Sequence, residues 1–161
     1  MQAGDHPRIQ QVFSDIQGKY ASTMQAGQAG LLIAKTQADQ GNVDAAKTAL
    51  EWVAAHASDE GYQALARLRL AGLLVQQEAY DDALKSLNQK FSADFDALVA
   101  DRKGDIFALQ GKQKDAIAEY TRAYKAFPEN TEYRRLVEVK LNALGARPEA
   151  VVASANLEAS K

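Results

Sequence analysis

Apolar residues recur every three to four positions through most of the chain, which is the period of a helix with one buried face. The clearest stripe predicts a helix over about residues 60–77. Its members are Leu65, Leu68, Ala71, Leu74 and Val75. Val, Ile and Thr do not alternate with polar residues as in a half-buried strand, and prolines occur only at positions 7, 128 and 148. The sequence therefore predicts an all-α protein.

Four breaks in this helical pattern are almost evenly spaced. They lie at Gly4, Gly41, Glu78 and Gly111, so the separations are 37, 37 and 33 residues. A nearly constant spacing of this size is typical of helix-turn-helix repeats that stack into a solenoid.

A small residue and then a large one follow each of the last three breaks at fixed distances. The alanines are Ala46, Ala83 and Ala116, and the large residues are Leu50, Leu87 and Tyr120. Two antiparallel helices approach to the shorter end of the usual range, about 8–10 Å, only where a small side chain lies at the crossing. In the last unit, the first helix carries its own small residue, Gly104, and large residue, Phe107.

The last unit resembles the tetratricopeptide repeat. The positions that match its L-G-x2-Y, A-x3-F and P pattern are Gly104, Phe107, Ala116, Tyr120, Ala123 and Pro128. This resemblance implies an all-α, right-handed solenoid of helix-turn-helix repeats with a C-terminal capping helix. The tryptophan that usually opens the repeat is replaced by Gly30, Arg67 and Ala100 in the three units, so a standard peptide-clamping surface is not implied.

The repeat spacing predicts a tetratricopeptide-like domain over residues 1–145. It comprises a partial unit (1–20), three units (about 21–58, 59–92 and 93–128) and a capping helix (131–144), with a disordered tail at 146–161. Thr131 is the expected N-cap of the capping helix. The expected apolar face of that helix consists of Tyr133, Leu136, Val137, Leu141 and Leu144.

The N-terminal end of the chain reads as half of a helical pair. If Gly4 is a break, "MQA" is the remnant of a first helix and "PRIQQVFSDIQGKYA" is the second. Apolar residues of this helix, such as Phe13 and Ile16, would then lack a packing partner. We therefore expect further sequence upstream of Met1 and regard a homodimer through this end as possible.

Composition and charge exclude several classes of function. The 161 residues include 47% hydrophobic residues, 19 basic and 21 acidic residues, and no long run of one sign. No nucleic acid or anionic lipid is therefore expected as a partner. Cysteine is absent from the sequence, which excludes thiol catalysis and cysteine-ligated zinc.

The sequence offers little catalytic chemistry. His6 and His56 are the only histidines, and neither has a second histidine three or four residues away. Asp101 and Asp105 lie four residues apart, which favours a solvated helix face over an acid–base pair. No enzyme activity, cofactor or metal is expected.

Binding is the remaining class of function. In tetratricopeptide solenoids the first helices of successive pairs line a concave face. The exposed residues of that face recur at fixed distances from the start of each repeat. The corresponding positions in this chain are Leu31, Lys35, Leu65, Leu68, Val75, Leu98, Asp101 and Asp105. The alternative is that several of these leucines belong to the repeat core.

Three longer stretches resemble the YfgM family of Gram-negative envelope proteins. They occur in the family's order, and they read "ALARLRLAGLLVQQEAYDDALKSL", "FDALVADRKGDIFALQGKQKDAIAEY" and "LVEVKLNALG". The resemblance implies a periplasmic domain anchored by one upstream membrane-spanning helix at the inner membrane. It also implies association with the Sec translocon and a PpiD-like periplasmic chaperone, and assistance to unfolded exported proteins.

Two readings of the function remain open from the sequence. A chaperone-like, translocon-associated subunit would bind unfolded chains weakly and tolerantly through the apolar residues. A generic tetratricopeptide scaffold would bind one defined peptide or folded partner through charged residues such as Lys35, Asp101 and Asp105.

Overall fold

A computed structural model describes residues 5–148 of the chain. Every regular element in this range is helical, which confirms the all-α prediction. The helices are α1 (Asp5–Lys19), α2 (Met24–Asp39), α3 (Val43–His56), α4 (Glu60–Gln76), α5 (Tyr80–Leu87), α6 (Asp96–Leu109), α7 (Gln113–Ala126) and α8 (Glu132–Ala143). A short 3₁₀ turn (Ala93–Phe95) precedes α6.

The helices form two compact units, of which the first ends at Ser92 and the second begins at Ala93. In the first unit each helix packs on the next one along the chain, and α2 also packs on α4. In the second unit α6 packs on α7 and α7 on α8. The sequence predicts one domain, but helix-turn-helix repeats contact mainly their neighbours, so their packing readily separates into such units.

The turns that follow α2, α4, α6 and α8 share a left-handed backbone residue. These residues are Gly41, Glu78, Gly111 and Gly145, with φ of 79°, 59°, 71° and 75°. In each turn the next amide donates to a carbonyl five residues back, as from Asn42 to Gln37 at 2.8 Å. The breaks seen in the sequence at 41, 78 and 111 are therefore helix C-termini, while Gly4 lies outside the described residues.

The small and large residues of the repeats meet in the two cores. Ala46, Ala83 and Ala116 are completely buried, and Leu50, Leu87 and Tyr120 are buried with them. At Gly104 a Cβ atom would lie 2.5 Å from Cδ1 of Tyr120. The predicted close approach of paired helices is therefore confirmed.

Arg67 stands where a tryptophan usually opens the repeat. Its guanidinium donates hydrogen bonds to the carbonyl oxygens of Ala54 at 3.0 Å and Lys90 at 2.6 Å, and to Gln63 Oε1 at 3.1 Å. Ala54 lies in the last turn of α3, where carbonyl groups lack helical partners. An arginine satisfies such carbonyl groups, whereas the single donor of a tryptophan could not serve both.

The capping helix α8 buries only part of its predicted apolar face. Thr131 caps it as expected, accepting a hydrogen bond from the amide of Arg134 at 3.3 Å. Val137 and Leu141 are buried, but Tyr133 and Leu136 are 59% and 49% exposed. The prediction that Leu136 belongs to the apolar face is wrong, because this residue lies about 100° from Val137 around the helix. Tyr133 lies one turn before Val137 on the same side of α8, but it is at the N-terminal end of the helix, where its ring stacks on Phe127 and stays mostly exposed.

The predicted disordered tail lies outside the described residues from 149 onward. Its expected start at residue 146 is wrong, because Ala146 packs in the core of the second unit with Leu141. Pro148 is buried as well.

Candidate protein-binding surface

The exposed side of α4 carries an apolar strip. Leu65, Leu68 and Val75, all predicted for the binding surface, are half-buried, and exposed Gly72 lies among them. These four residues are referred to below as the α4 strip. The core-facing residues of α4 are Ala64, Ala66, Leu70, Ala71, Leu73 and Leu74. The strip therefore keeps part of its apolar surface available for a partner.

The predicted residues of α2 divide between core and surface. Leu31 is only 5% exposed, so the alternative reading, in which a predicted leucine belongs to the repeat core, applies to it. The next residue, Leu32, is 65% exposed instead. Gly27, Gly30 and Ala34 are also buried, and they place Leu31 on the inner face of α2 and Leu32 about 100° away. The small residues of α2 mark its buried face and could have predicted that Leu31 is core. The positions taken from the general repeat pattern did not predict this.

Two cations lie on the exposed surface of α2 and α4. Lys35 is exposed as predicted and forms an ion pair with Asp39, one turn later. Exposed Arg69, which sequence reasoning missed, extends from α4 toward α2 and reaches the carbonyl oxygen of Leu31 at 3.5 Å. Leu65 lies one turn before Arg69 on α4. The strip therefore has a basic border on the side of α2.

A separate open cleft of about 590 Å³ lies between α3, α4 and α5. Leu70 and Leu74 line it together with five charged residues, one of which is Arg67. The other four pair with each other: Lys47 with Glu51 at 3.9 Å, and Lys85 with Asp82 at 2.8 Å. Because charged and polar residues make up most of its lining, the cleft is a weaker candidate for binding an apolar segment than the α4 strip.

In the second unit, Leu98 is half-buried beside a shallow cavity of about 430 Å³. Phe127 and Tyr133 also line this cavity, with their rings stacked 5.7 Å apart. Leu98 is thus partly accessible.

Asp101 and Asp105 belong to a polar cluster in the second unit. Lys140 Nζ from α8 lies 2.7 Å from Oδ1 of each carboxylate. The Tyr120 hydroxyl donates a hydrogen bond to the same oxygen of Asp105 at 2.8 Å. Asp101 is only 7% exposed, so the expectation of a solvated acidic face is wrong for this residue. Its charge is compensated by a lysine 39 positions later in the chain.

The pKa values in this cluster reflect its burial. Burial raises the pKa of Asp101 above the ordinary 3.8, against the hydrogen bond from Lys140, and the nearby Asp105 charge adds to the rise. Burial also raises the pKa of Tyr120, and its hydrogen bond to Asp105 contributes. Tyr120 therefore remains a neutral donor, and Lys140 supplies the compensating charge.

No group of three or more metal-ligating side chains occurs among residues that the structure describes. His56 is exposed in the last turn of α3, where its ring stacks on Trp52 and its Nδ1 lies 3.0 Å from the Trp52 carbonyl oxygen. The side chain of His6 lies outside the described part of the structure. None of the helices described is long and apolar enough to span a membrane.

Comparisons with known proteins agree with the helical repeats. A family model described as a tetratricopeptide repeat-like domain matches residues 1–146. A protein of Neisseria gonorrhoeae named "Ancillary SecYEG translocon subunit" is 37% identical over 131 residues, which cover 81% of this chain and 63% of that protein.

Two further proteins with that name come from Escherichia coli (31% identical over 98 residues) and Buchnera aphidicola (26% over 112 residues). The matches cover 61% and 70% of this chain, and 48% and 57% of those proteins. The chain thus spans less than two thirds of the length of each relative. These similarities confirm the resemblance to the YfgM family.

Proposed function

This chain belongs to the tetratricopeptide repeat-like domain family, and from that premise we propose that it is a non-enzymatic protein–protein interaction module associated with the Sec translocon. The observation that carries the proposal is the partly exposed apolar α4 strip on a helix whose opposite side is core. The proposed association with the translocon is based on the names of the relatives.

We further propose that the module is chaperone-like and assists unfolded exported proteins at the periplasmic face of the inner membrane. An adaptable apolar surface suits weak, sequence-tolerant binding of such clients. The proposal includes a PpiD-like periplasmic chaperone as a partner and a membrane anchor upstream of Met1.

A homodimer through the N-terminal end is a separate proposal. On α1, Val12 is 47% exposed, while Ile9, Phe13 and Ile16 are half-buried. Such a helix retains apolar surface that a second copy of the chain could cover.

A scaffold that binds one defined peptide or folded partner is the second candidate function. The basic border formed by Lys35 and Arg69 favours it, because charges confer specificity. Asp101 and Asp105 support it less than their sequence suggested, since Lys140 compensates both.

Replacing Leu65 and Leu68 together with glutamate is expected to lower the affinity for an unfolded protein at least about tenfold. Loss of apolar contact from two leucines readily exceeds the roughly 1.4 kcal/mol that this factor requires. The measurement is the dissociation constant for reduced, carboxymethylated α-lactalbumin by fluorescence anisotropy.

Leu109→Glu is the matched control, because Leu109 is a 58% exposed leucine on α6 in the second unit. It should leave the affinity unchanged, and circular dichroism should show all variants folded. Equal affinities for the wild type and the double variant would refute the role of the strip. The scaffold would be favoured if the chain did not bind the unfolded protein but bound one soluble protein, unrelated to the translocon, in a saturable manner.

A further inference from the structure

The exposed face of α4 has the spacing of a helix-packing seam. Gly61, Leu65, Leu68, Gly72 and Val75 follow one another at alternating intervals of four and three residues. Gly72 is exposed and the others are only partly buried. A sustained four-three alternation of apolar or small residues keeps one line of contact along a neighbouring helix. Such regularity is not needed for a face that only meets water.

Gly72 has no packing role within the described residues. It lies inside a 17-residue helix, where glycine costs about 1 kcal/mol relative to alanine. A Cβ atom at Gly72 would meet nothing within 4 Å, whereas one at Gly30 or Gly104 would collide with Val53 or Tyr120. The absence of a side chain at Gly72 therefore leaves a notch that faces outward. A notch of this kind allows a second helix to approach closely.

The basic border limits which helix fits this surface. Arg69 keeps most of its donors available, since in the described structure it makes one long hydrogen bond, to the carbonyl oxygen of Leu31. Lys35 contributes a second positive charge on α2, because its exposed ion pair with Asp39 is weak and can be exchanged for a partner's carboxylate. Acidic side chains beside the apolar seam of a partner would complement both cations.

We propose that the α4 strip binds an amphipathic α-helix of a partner protein. The helix lies along α4, approaches it most closely at Gly72, and carries acidic side chains opposite Arg69 and Lys35. An amphipathic helix binds by laying its apolar face on an apolar surface, with anchors three and four residues apart, and the spacing of the strip matches this mode. This inference rests on the proposed function, and it specifies the bound segment as helical.

The test uses fluorescently labelled 21-residue peptides and the whole 161-residue chain. The first peptide is helical, with leucine at the seam positions and glutamate at the flanking positions. A second has lysine in place of glutamate, and a third has two prolines inserted within the helix. We expect the acidic helical peptide to bind at least about tenfold more tightly than either of the others.

Gly72→Gln tests the notch directly. Glutamine is a better helix former than glycine, so this variant should be at least as stable as the wild type, yet it should bind the acidic helix at least about tenfold more weakly. Gly18→Gln is the matched control: Gly18 also lies exposed in a helix with nothing within 4 Å of its Cβ position. It should leave binding unchanged.

Wild-type affinity in Gly72→Gln, or equal binding of the proline-containing peptide, would overturn the inference. The proposed function fails by a different result, namely unchanged binding of carboxymethylated α-lactalbumin after substitution of Leu65 and Leu68. If the double substitution weakens that binding while Gly72→Gln still binds the helix normally, the proposed function stands and the helical partner is wrong.

Discussion

Gly104→Ala is expected to destabilise the second unit by about 3 kcal/mol, the upper end of the cost of overpacking a core. The new methyl group would lie 2.5 and 2.6 Å from Cδ1 and Cε1 of the Tyr120 ring. The ring has little room to move, because it is 3% exposed, its hydroxyl donates to Asp105, and Lys140 Nζ lies 5.3 Å from its centroid. The measurement is the free energy of unfolding in urea.

A double-mutant cycle identifies the cause of this loss. In a Tyr120→Leu background the ring is gone, so adding Gly104→Ala should cost less than about 1 kcal/mol. Gly18→Ala, which introduces a methyl group into open space, should not destabilise the chain. An equal cost of Gly104→Ala in both backgrounds would contradict the proposed collision.

Lys140→Met is expected to destabilise the second unit by about 2 kcal/mol at neutral pH. The lysine pairs with both Asp101 and Asp105, and the three side chains are 22%, 10% and 28% exposed. Removing the cation leaves a buried carboxylate uncompensated, which costs about 3–5 kcal/mol when burial is complete and less here. Lys85→Met is the control, because its exposed pair with Asp82 should contribute nothing measurable.

This loss should depend on pH. The folded-state pKa of Asp101 is already raised by burial, and Lys140 works against the rise, so Lys140→Met should raise that pKa further. A raised folded-state pKa means that the folded state binds more protons than the unfolded state, so stability increases as the pH falls through that value. The difference in unfolding free energy between wild type and variant should therefore shrink from pH 7 to about pH 4. A constant difference would contradict the account.

The sequence correctly predicts the helix ends and the contacts within one helical pair, because these depend on the spacing of nearby residues. Gly41 and Gly111 mark real helix ends because only the backbone of the turn decides their conformation. Ala116 and Tyr120 meet across a helical pair as the repeat pattern indicates. Burial of Asp101 could not be predicted in this way, because its compensating lysine comes from another helix 39 positions later.

The predictions for single residues were wrong in two situations. In one, a surface position was taken from the general repeat pattern; in the other, a helix carried apolar residues on two sides. Leu31 is core and Leu32 is exposed, since the small residues of α2 turn that helix by one position. On α8, Val137 and Leu141 face the core while Leu136 does not. Gly72 reads only as a helix-weakening residue until its surroundings are known.

Photocrosslinking in the native host tests most directly whether the α4 strip meets the Sec machinery. The full-length gene would carry a photoreactive amino acid at Leu65, or at Thr48, an exposed control position on α3. We predict crosslinks from position 65 to SecYEG subunits, their associated periplasmic chaperone or exported proteins, with few from position 48. Equal crosslinking from both positions, or adducts from position 65 with one unrelated soluble protein, would contradict the account.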